Sequence, residues 1–468
     1  MGKARMEADS IGMLEVPADV YYGVQAERAM RNFRITGHRM HPAFIRNLAM
    51  VKEAAAMVNR DAGLLDRVKA DAIIRASREV MDGKFDDSFI VDPVQGGAGT
   101  SANMNMNEVI ANRAGELLGG EKGAYDKIHP NDHVNMAQST NDTIPTAGKM
   151  TVLTLSKELT GELRRLADAL FSKGDEFEGV RKMGRTQLQD AVPMTLGDTF
   201  HGYGAMVSRC RIRIEKSLQE MHTINLGGTA IGSGINASEY YESHIADRLS
   251  ALFGERLTQA DDLFDATQNL DSFVAVSGAL KSCALSLSKM CNDLRLLSSG
   301  PRCGLHEINL PAMQNGSSIM PGKVNPVNPE EVTQVAFLVA GHDTTITMAA
   351  EAGQMELNAF EPVAFYDLFE SITAMTGAVK TLIDNCISGI TANADHCLEL
   401  EEGSTGIATA LCPTLGYKKS ADIAKKALRE GLTVREIVLK EGLMNEKDLD
   451  ELFSANGVDR AAESRHIA

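Results

Sequence analysis

Long apolar runs, paired cysteines, low-complexity tracts and an excess of positive charge are all missing from this sequence, and each absence removes a class of function. No apolar stretch approaches the roughly 20 residues a helix needs to cross a bilayer, so no membrane span is expected. The seven cysteines (Cys210, Cys283, Cys291, Cys303, Cys386, Cys397 and Cys412) are odd in number and include no C-x-x-C pair. They read as reduced thiols rather than a disulfide framework. The first residues, MGKARMEADSIGMLEVP, lack the apolar core of a signal peptide, and Met6 stands where a myristoylation motif needs Ser or Thr. Together these features predict a cytoplasmic protein. A formal net charge of −16 has the wrong sign for a nucleic-acid partner, whose phosphates need a positive field. Small anionic substrates stay open, because a site needs only local donors such as a lysine, backbone N–H groups or a helix N-terminus.

What is present is the composition of a folded globular chain: 44% hydrophobic and 24% charged over 468 residues, enough for about three domains. Two segments carry a helical ladder. Phe273, Val276, Leu280, Cys283, Leu287, Met290, Leu294 and Leu297 step by three and four, as do Phe365, Leu368, Ile372, Met375, Val379, Leu382 and Cys386 after Pro362. Such stripes are core packing, not sites. Further helices are expected over about 146–173, 195–225 and 329–350. Strand-like runs are few, Ser88 to Val91 among them, and no alternating βαβ pattern appears. A mainly α fold is expected, with a mixed, mainly helical N-terminal domain (1–141), a central bundle of long helices (142–392) and a small helical C-terminal domain (393–468). Units at Thr433 to Glu441 and from Asn445 belong to the last.

Familiar chemical motifs fail one by one. GSSIMPGK, from Gly316, has five residues between its glycines where a P-loop has four, and Val324 follows Lys323 where Ser or Thr should bind magnesium. Gly97, Gly99 and Ala102 match a dinucleotide fingerprint in spacing, but Pro93 interrupts the preceding run and no second βαβ unit follows. There is no H-E-x-x-H, no Cys/His cluster and no G-x-S-x-G elbow. Neither a metal site nor a nicotinamide, flavin or pyridoxal cofactor is expected. Three loops rich in hydroxyls and amides remain: Gly96–Asn105 (GGAGTSANMN), Gln138–Asp142 (QSTND) and Gly316–Pro326 (GSSIMPGKVNP). Taken singly, each suits a helix cap or turn. Taken with Lys323, a lone cation among neutral donors, they suit a dicarboxylate cradle.

These segments carry a resemblance over nearly the whole chain. GSSIMPGKVNP resembles the signature loop of the aspartase/fumarase superfamily, and GGAGTSANMNMNEV, NDHVNMAQSTND and MGRTQLQDAVPM resemble its other active-site segments in the same order. The superfamily also holds argininosuccinate and adenylosuccinate lyases, so the substrate is read from other positions. Tyr21-Tyr22-Gly23-Val24, Thr140 in QSTND and the run VNPVNPEEV look like the aspartase branch, where fumarases typically show YWG, QSSND and VNPTQCE. His129-Pro130-Asn131-Asp132 and Arg34-Ile35 resemble class II fumarases, the alternative reading. The resemblance implies a three-domain fold whose long helices form the core of a homotetramer, with active sites shared between subunits. It implies reversible elimination of ammonia from L-aspartate to give fumarate through an enediolate.

By the same resemblance Ser317 is the general base, on a loop with Gly316 and Gly322 as hinges. Thr100, Ser139, Thr140 and Ser318 hold the carboxylate that receives the enediolate charge. Lys323, Asn325 and Thr186 hold the other carboxylate, and Asn141 with Gln187 the amino group. Gln187 stands where fumarases carry histidine, and an amide cannot protonate a departing hydroxide. Two other classes compete: a purely structural helical assembly, which leaves the polar loops without a reason, and a dicarboxylate sensor, which should lack a base at Ser317.

Overall fold

The computed structural model describes residues 3–453. The chain opens on a hairpin of β1 (Ala4–Asp9) and β2 (Gly12–Pro17) and continues through α1 (Val24–Asn32), α2 (Pro42–Asp61), α3 (Arg67–Met81), α4 (Thr100–Leu117) and α5 (Thr140–Glu176). A second hairpin, β3 (Arg181–Thr186) and β4 (Gln189–Thr195), leads into α6 (Leu196–Ser217) and α7 (Glu239–Phe253). Then come α8 (Leu263–Gln268), α9 (Asp271–Leu297), α10 (Val327–Glu351), α11 (Glu361–Asn385) and shorter C-terminal helices. Among the described residues the strands form four separate two-stranded sheets, so the mainly α expectation holds.

The two ladders lie on α9 and α11, with Cys386 one residue past the end of α11, and every ladder residue is buried within the chain. α5 and α10 extend the spans expected over 146–173 and 329–350 at both ends. α5 starts at Thr140 and contains Pro145, which has no N–H to offer the carbonyl of Asn141. The Asn225 side chain donates to that carbonyl instead, at 2.9 Å, so the helix carries its proline without an orphaned acceptor. The helix expected over 195–225 ends sooner, as α6 gives way to a 3₁₀ turn at Leu218–His222 and a two-residue strand.

The strand expected at Ser88 to Val91 does not form. Asp86–Ser88 is a 3₁₀ turn, and the Asn105 amide takes the place of a neighbouring strand. It donates to the Ser88 carbonyl (2.9 Å) and accepts from the Ile90 N–H (3.0 Å). The helix over Val434–Lys440 is capped as its sequence predicts: Thr433 and Glu436 form a reciprocal capping box. Asn445 accepts from the Asp448 N–H at 2.9 Å at the head of the next helix.

The chain divides into two compact units. The first comprises 1–160, 212–282 and 337–375, and the rings of Phe273, Phe365 and Phe369 pack in its core with centroids 4.8 and 6.0 Å apart. The second comprises 161–211, 283–336 and 376–468. Among its described residues a cluster around Leu411, Ile437, Val438 and Leu449 closes the C-terminal helices.

Candidate active site

In the first unit, the Gly96–Asn105 loop is built on Asp92. This buried carboxylate accepts from the N–H groups of Ile35, Thr36, Gly37 and Val94 and from the Thr36 hydroxyl, at 2.8–3.2 Å. Burial works to raise its pKa, but these donors outweigh burial and hold the carboxyl below its ordinary 3.8. Gln95 then bridges: its amide donates to the Asp92 carbonyl at 2.8 Å and its oxygen accepts from the Ala102 N–H at 3.0 Å. That bond caps α4, whose own N-cap residue, Gly99, has no side chain to do so. Gly97, Ala98 and Gly99 are all left-handed, with φ of 87°, 54° and 84°, and a Cβ on Gly99 would meet Ile144 at 2.9 Å. The exposed Thr100 hydroxyl donates to the Gly97 carbonyl at 2.7 Å, beside a cleft of about 1040 Å³.

The Gln138–Asp142 loop is held from two sides. Asp142, fully buried, accepts from the N–H groups of Ser139 (2.9 Å), Gly227 (3.1 Å) and Thr229 (3.0 Å). Burial pushes its carboxyl up to about 6, against these donors and the charge of Lys52. Lys52, fully buried on α2, donates to the amide oxygens of Asn103 (2.7 Å), Asn135 (3.0 Å) and Gln138 (3.0 Å). Ser139 accepts from the Asn141 N–H at 3.2 Å, and Thr140 from the Asn103 amide at 3.4 Å. The Asn141 amide donates to the Ala230 carbonyl at 2.7 Å, which leaves its oxygen, an acceptor suited to an ammonium group, outside that bond.

In the second unit, Thr186 and Gln187 sit at the exposed tip of the β3–β4 hairpin, where Gln187 and Leu188 are both left-handed (φ 54° and 61°). That is the geometry of a two-residue turn that matches strand twist. The hairpin is pinned by the fully buried Glu307, which takes Arg185 at 2.6 Å and Lys182 at 3.0 Å, and by Asp190, which accepts from Ser404 at 2.7 Å.

The Gly316–Pro326 loop is tied at its base. The Gly316 N–H donates to the Lys323 carbonyl (2.8 Å) and the Asn325 amide to the Gly316 carbonyl (2.7 Å). A Cβ on Gly316 would lie 2.7 Å from the Lys323 oxygen, so glycine is required there by close approach of the loop's two ends. Between them Ser317 is half-buried, and its Oγ accepts the N–H groups of Ile319 (3.2 Å) and Met320 (2.9 Å). Ser318 and Lys323 are exposed, Ile319 is 84% exposed, and among the described residues the Lys323 ammonium has no ion-pair partner.

Of the ten residues singled out from the sequence, Thr100, Ser139, Thr140 and Asn141 stand in the first unit. Thr186, Gln187, Ser317, Ser318, Lys323 and Asn325 stand in the second. Within the first unit, Asn103 and Asp142 tie the loop of Ser139 and Thr140 to α4 and to the 225–230 segment. Of the supporting groups, Lys52 and Asn225 were not singled out, and Asp142 stood only as the last residue of the QSTND loop with no role given to it. The only signal of Lys52 and Asn225 is a lysine and an asparagine inside or beside helical runs.

Comparison with known proteins bears on the same segments. A family described as lyase matches residues 12–341, and one described as the fumarase C C-terminus matches 407–457. The chain belongs to the aspartase/fumarase superfamily. All four polar segments that carry the resemblance fall inside the larger match. The chain is 51% identical to the aspartate ammonia-lyase of Bacillus sp over 96% of both chains. It is 47% identical to that of Escherichia coli (strain K12) over 97% of this chain and 96% of the other. A crystal structure of fumarate lyase:delta crystallin from Brucella melitensis, bound to cobalt, superposes with TM-score 0.94 at 47% identity, covering 97% of this chain and 98% of that one. The class II fumarase of Schistosoma mansoni superposes with TM-score 0.92 at 34% identity, covering 96% and 98%. Among the described residues no group of three or more His, Cys, Asp or Glu side chains could hold a metal ion, and no helix is long and apolar enough to cross a membrane.

Proposed function

We propose that this superfamily member is an aspartate ammonia-lyase, which converts L-aspartate reversibly to fumarate and ammonia with Ser317 as general base. The carrying observation is the pair of backbone N–H groups on Ser317 Oγ. A serine can take a proton from carbon only as an alkoxide, and an alkoxide persists only where fixed donors stabilise it. Ile319 and Met320 supply those donors from within the same loop.

In this reading Ser317 removes a proton from the carbon beside the side-chain carboxylate of aspartate. The charge passes onto that carboxylate as an enediolate, held by Thr100, Ser139, Thr140 and Ser318. For Thr100 this requires release of its bond to the Gly97 carbonyl. Lys323, Asn325 and Thr186 hold the other carboxylate. Electrons from the enediolate then form the double bond of fumarate as the carbon–nitrogen bond breaks. The leaving ammonium already carries its protons, so Asn141 and Gln187 need only orient it.

Near-full-length relatives named aspartate ammonia-lyase, at 47–51% identity, favour this reading over fumarase, since the class II fumarase of Schistosoma mansoni is 34% identical. We further propose a cytoplasmic homotetramer with sites shared between subunits and no organic cofactor. The exposed Phe337, Leu338 and Met348 of α10 support an assembly, since a free chain would leave them in water. The ladders do not bear on it, being covered within one chain. The reverse reaction tests the activity: ammonium added to fumarate should consume fumarate absorbance and yield aspartate. Loss of absorbance without ammonium, with malate as the product, would replace this reading by fumarase.

A further inference from the structure

Resting on that reading, we propose that Lys52 is a positioning residue, which acts through Asn103 to make Thr140 a hydrogen-bond donor toward the substrate carboxylate. The buried ammonium has three N–H groups and three acceptors, the amide oxygens of Asn103, Asn135 and Gln138 at 2.7–3.0 Å. A neutral amine has only two N–H groups, so the arrangement is one that the charged form satisfies. Burial pulls the lysine down to about 7, and the charge of Asp142 works against that fall.

The consequence is directional. With its oxygen fixed on Lys52, the Asn103 amide must point its NH₂ the other way, where it donates to Asn135 (3.1 Å) and to Thr140 Oγ1 (3.4 Å). A hydroxyl that accepts from an amide keeps its own proton for another partner. Thr140 is therefore set as a donor before substrate arrives. Such preorganisation is most valuable to charge that develops in the transition state. Gln138 and Asn135 complete the same polarity, Asn135 donating onward to the Gln138 carbonyl and Gln138 to the carbonyls of Val134 and Met136.

The test is a kinetic cycle on the full-length protein with L-aspartate, using Lys52→Met, Thr140→Ala and the double variant. Lys52→Met should lower kcat about ten- to a hundredfold with KM changed less than about threefold, the signature of a donor used in the transition state. The double variant should lose at least about fivefold less than the product of the single losses, because both changes remove one device. Asn103→Asp provides a second approach if Lys52→Met does not fold. It keeps the acceptor for Lys52 but replaces the NH₂ by an oxygen, which turns the Thr140 proton inward, and kcat should fall as for Lys52→Met. Multiplicative losses, a wild-type kcat in Asn103→Asp, or a fall in thermal stability with kcat unchanged would overturn the proposal. Wild-type protein without turnover of aspartate would instead overturn the lyase reading along with it, so the two failures are told apart by the wild-type control.

Discussion

A serine hydroxyl is a weak base, and Ser317 Oγ, which accepts the N–H groups two and three residues ahead as a turn-capping serine does, becomes a strong one only when those donors stabilise its alkoxide. Two N–H groups converge on its Oγ from a loop whose ends are bonded to each other. Ser317→Ala should therefore leave fold and assembly intact while turnover falls by more than about a hundredfold. Steady-state rates within about tenfold of wild type, about 1.4 kcal/mol of barrier, would remove the base assignment. A second residue, Asp92, ties the stability of the first polar loop to pH. Its folded pKa lies below the ordinary 3.8, so its contribution is present above 3.8 and is lost as pH falls through the folded value. Asp92→Asn should cost about 2 kcal/mol near neutrality, typical of hydrogen bonds to a charged group, and the gap to wild type should narrow below 3.8. Urea titrations at neutral and acid pH check this, and a gap that does not depend on pH would contradict it. At this scale the hydroxyls and amides proposed to hold substrate were legible as clusters and by resemblance. Lys52 and the supporting role of Asp142 were not, because a buried ion in a helix looks in sequence like any solvated one.

The ladder residues of α9 and α11 show what secondary-structure reading does well. Apolar residues spaced by three and four form one face of a helix, and all fifteen named are buried. Leu280, fully buried as the third residue of its ladder, should cost about 2–5 kcal/mol when changed to alanine, with kcat unaltered in the protein that remains folded. Thermal or urea unfolding measures it, and a loss under about 1 kcal/mol would mean the ladder is not core. The β3–β4 hairpin marks the opposite limit. Its turn uses left-handed Gln187 and Leu188 where the usual sign is glycine or asparagine, so nothing local announces it. Ser88 to Val91 erred the other way, since a strand-like run found its partner in one asparagine side chain instead of another strand.

For the molecule as a whole, two statements go together: a tetramer in solution and ammonia-lyase chemistry. Sedimentation equilibrium should give four times the chain mass of 50.4 kDa, and a fully active monomer would refute the shared-site proposal. The wider resemblance was legible because four polar segments keep their order along the chain. The choice between aspartate and malate rests on fewer positions, Thr140 and Gln187 among them. The most direct measurement of that choice is the rate of fumarate formation, followed by its ultraviolet absorbance, when purified protein without added cofactor receives L-aspartate or, separately, L-malate. An ammonia-lyase should produce fumarate from aspartate with an equal amount of ammonia and leave malate essentially untouched. Rapid dehydration of malate with aspartate inert would contradict the central claim and make the protein a fumarase.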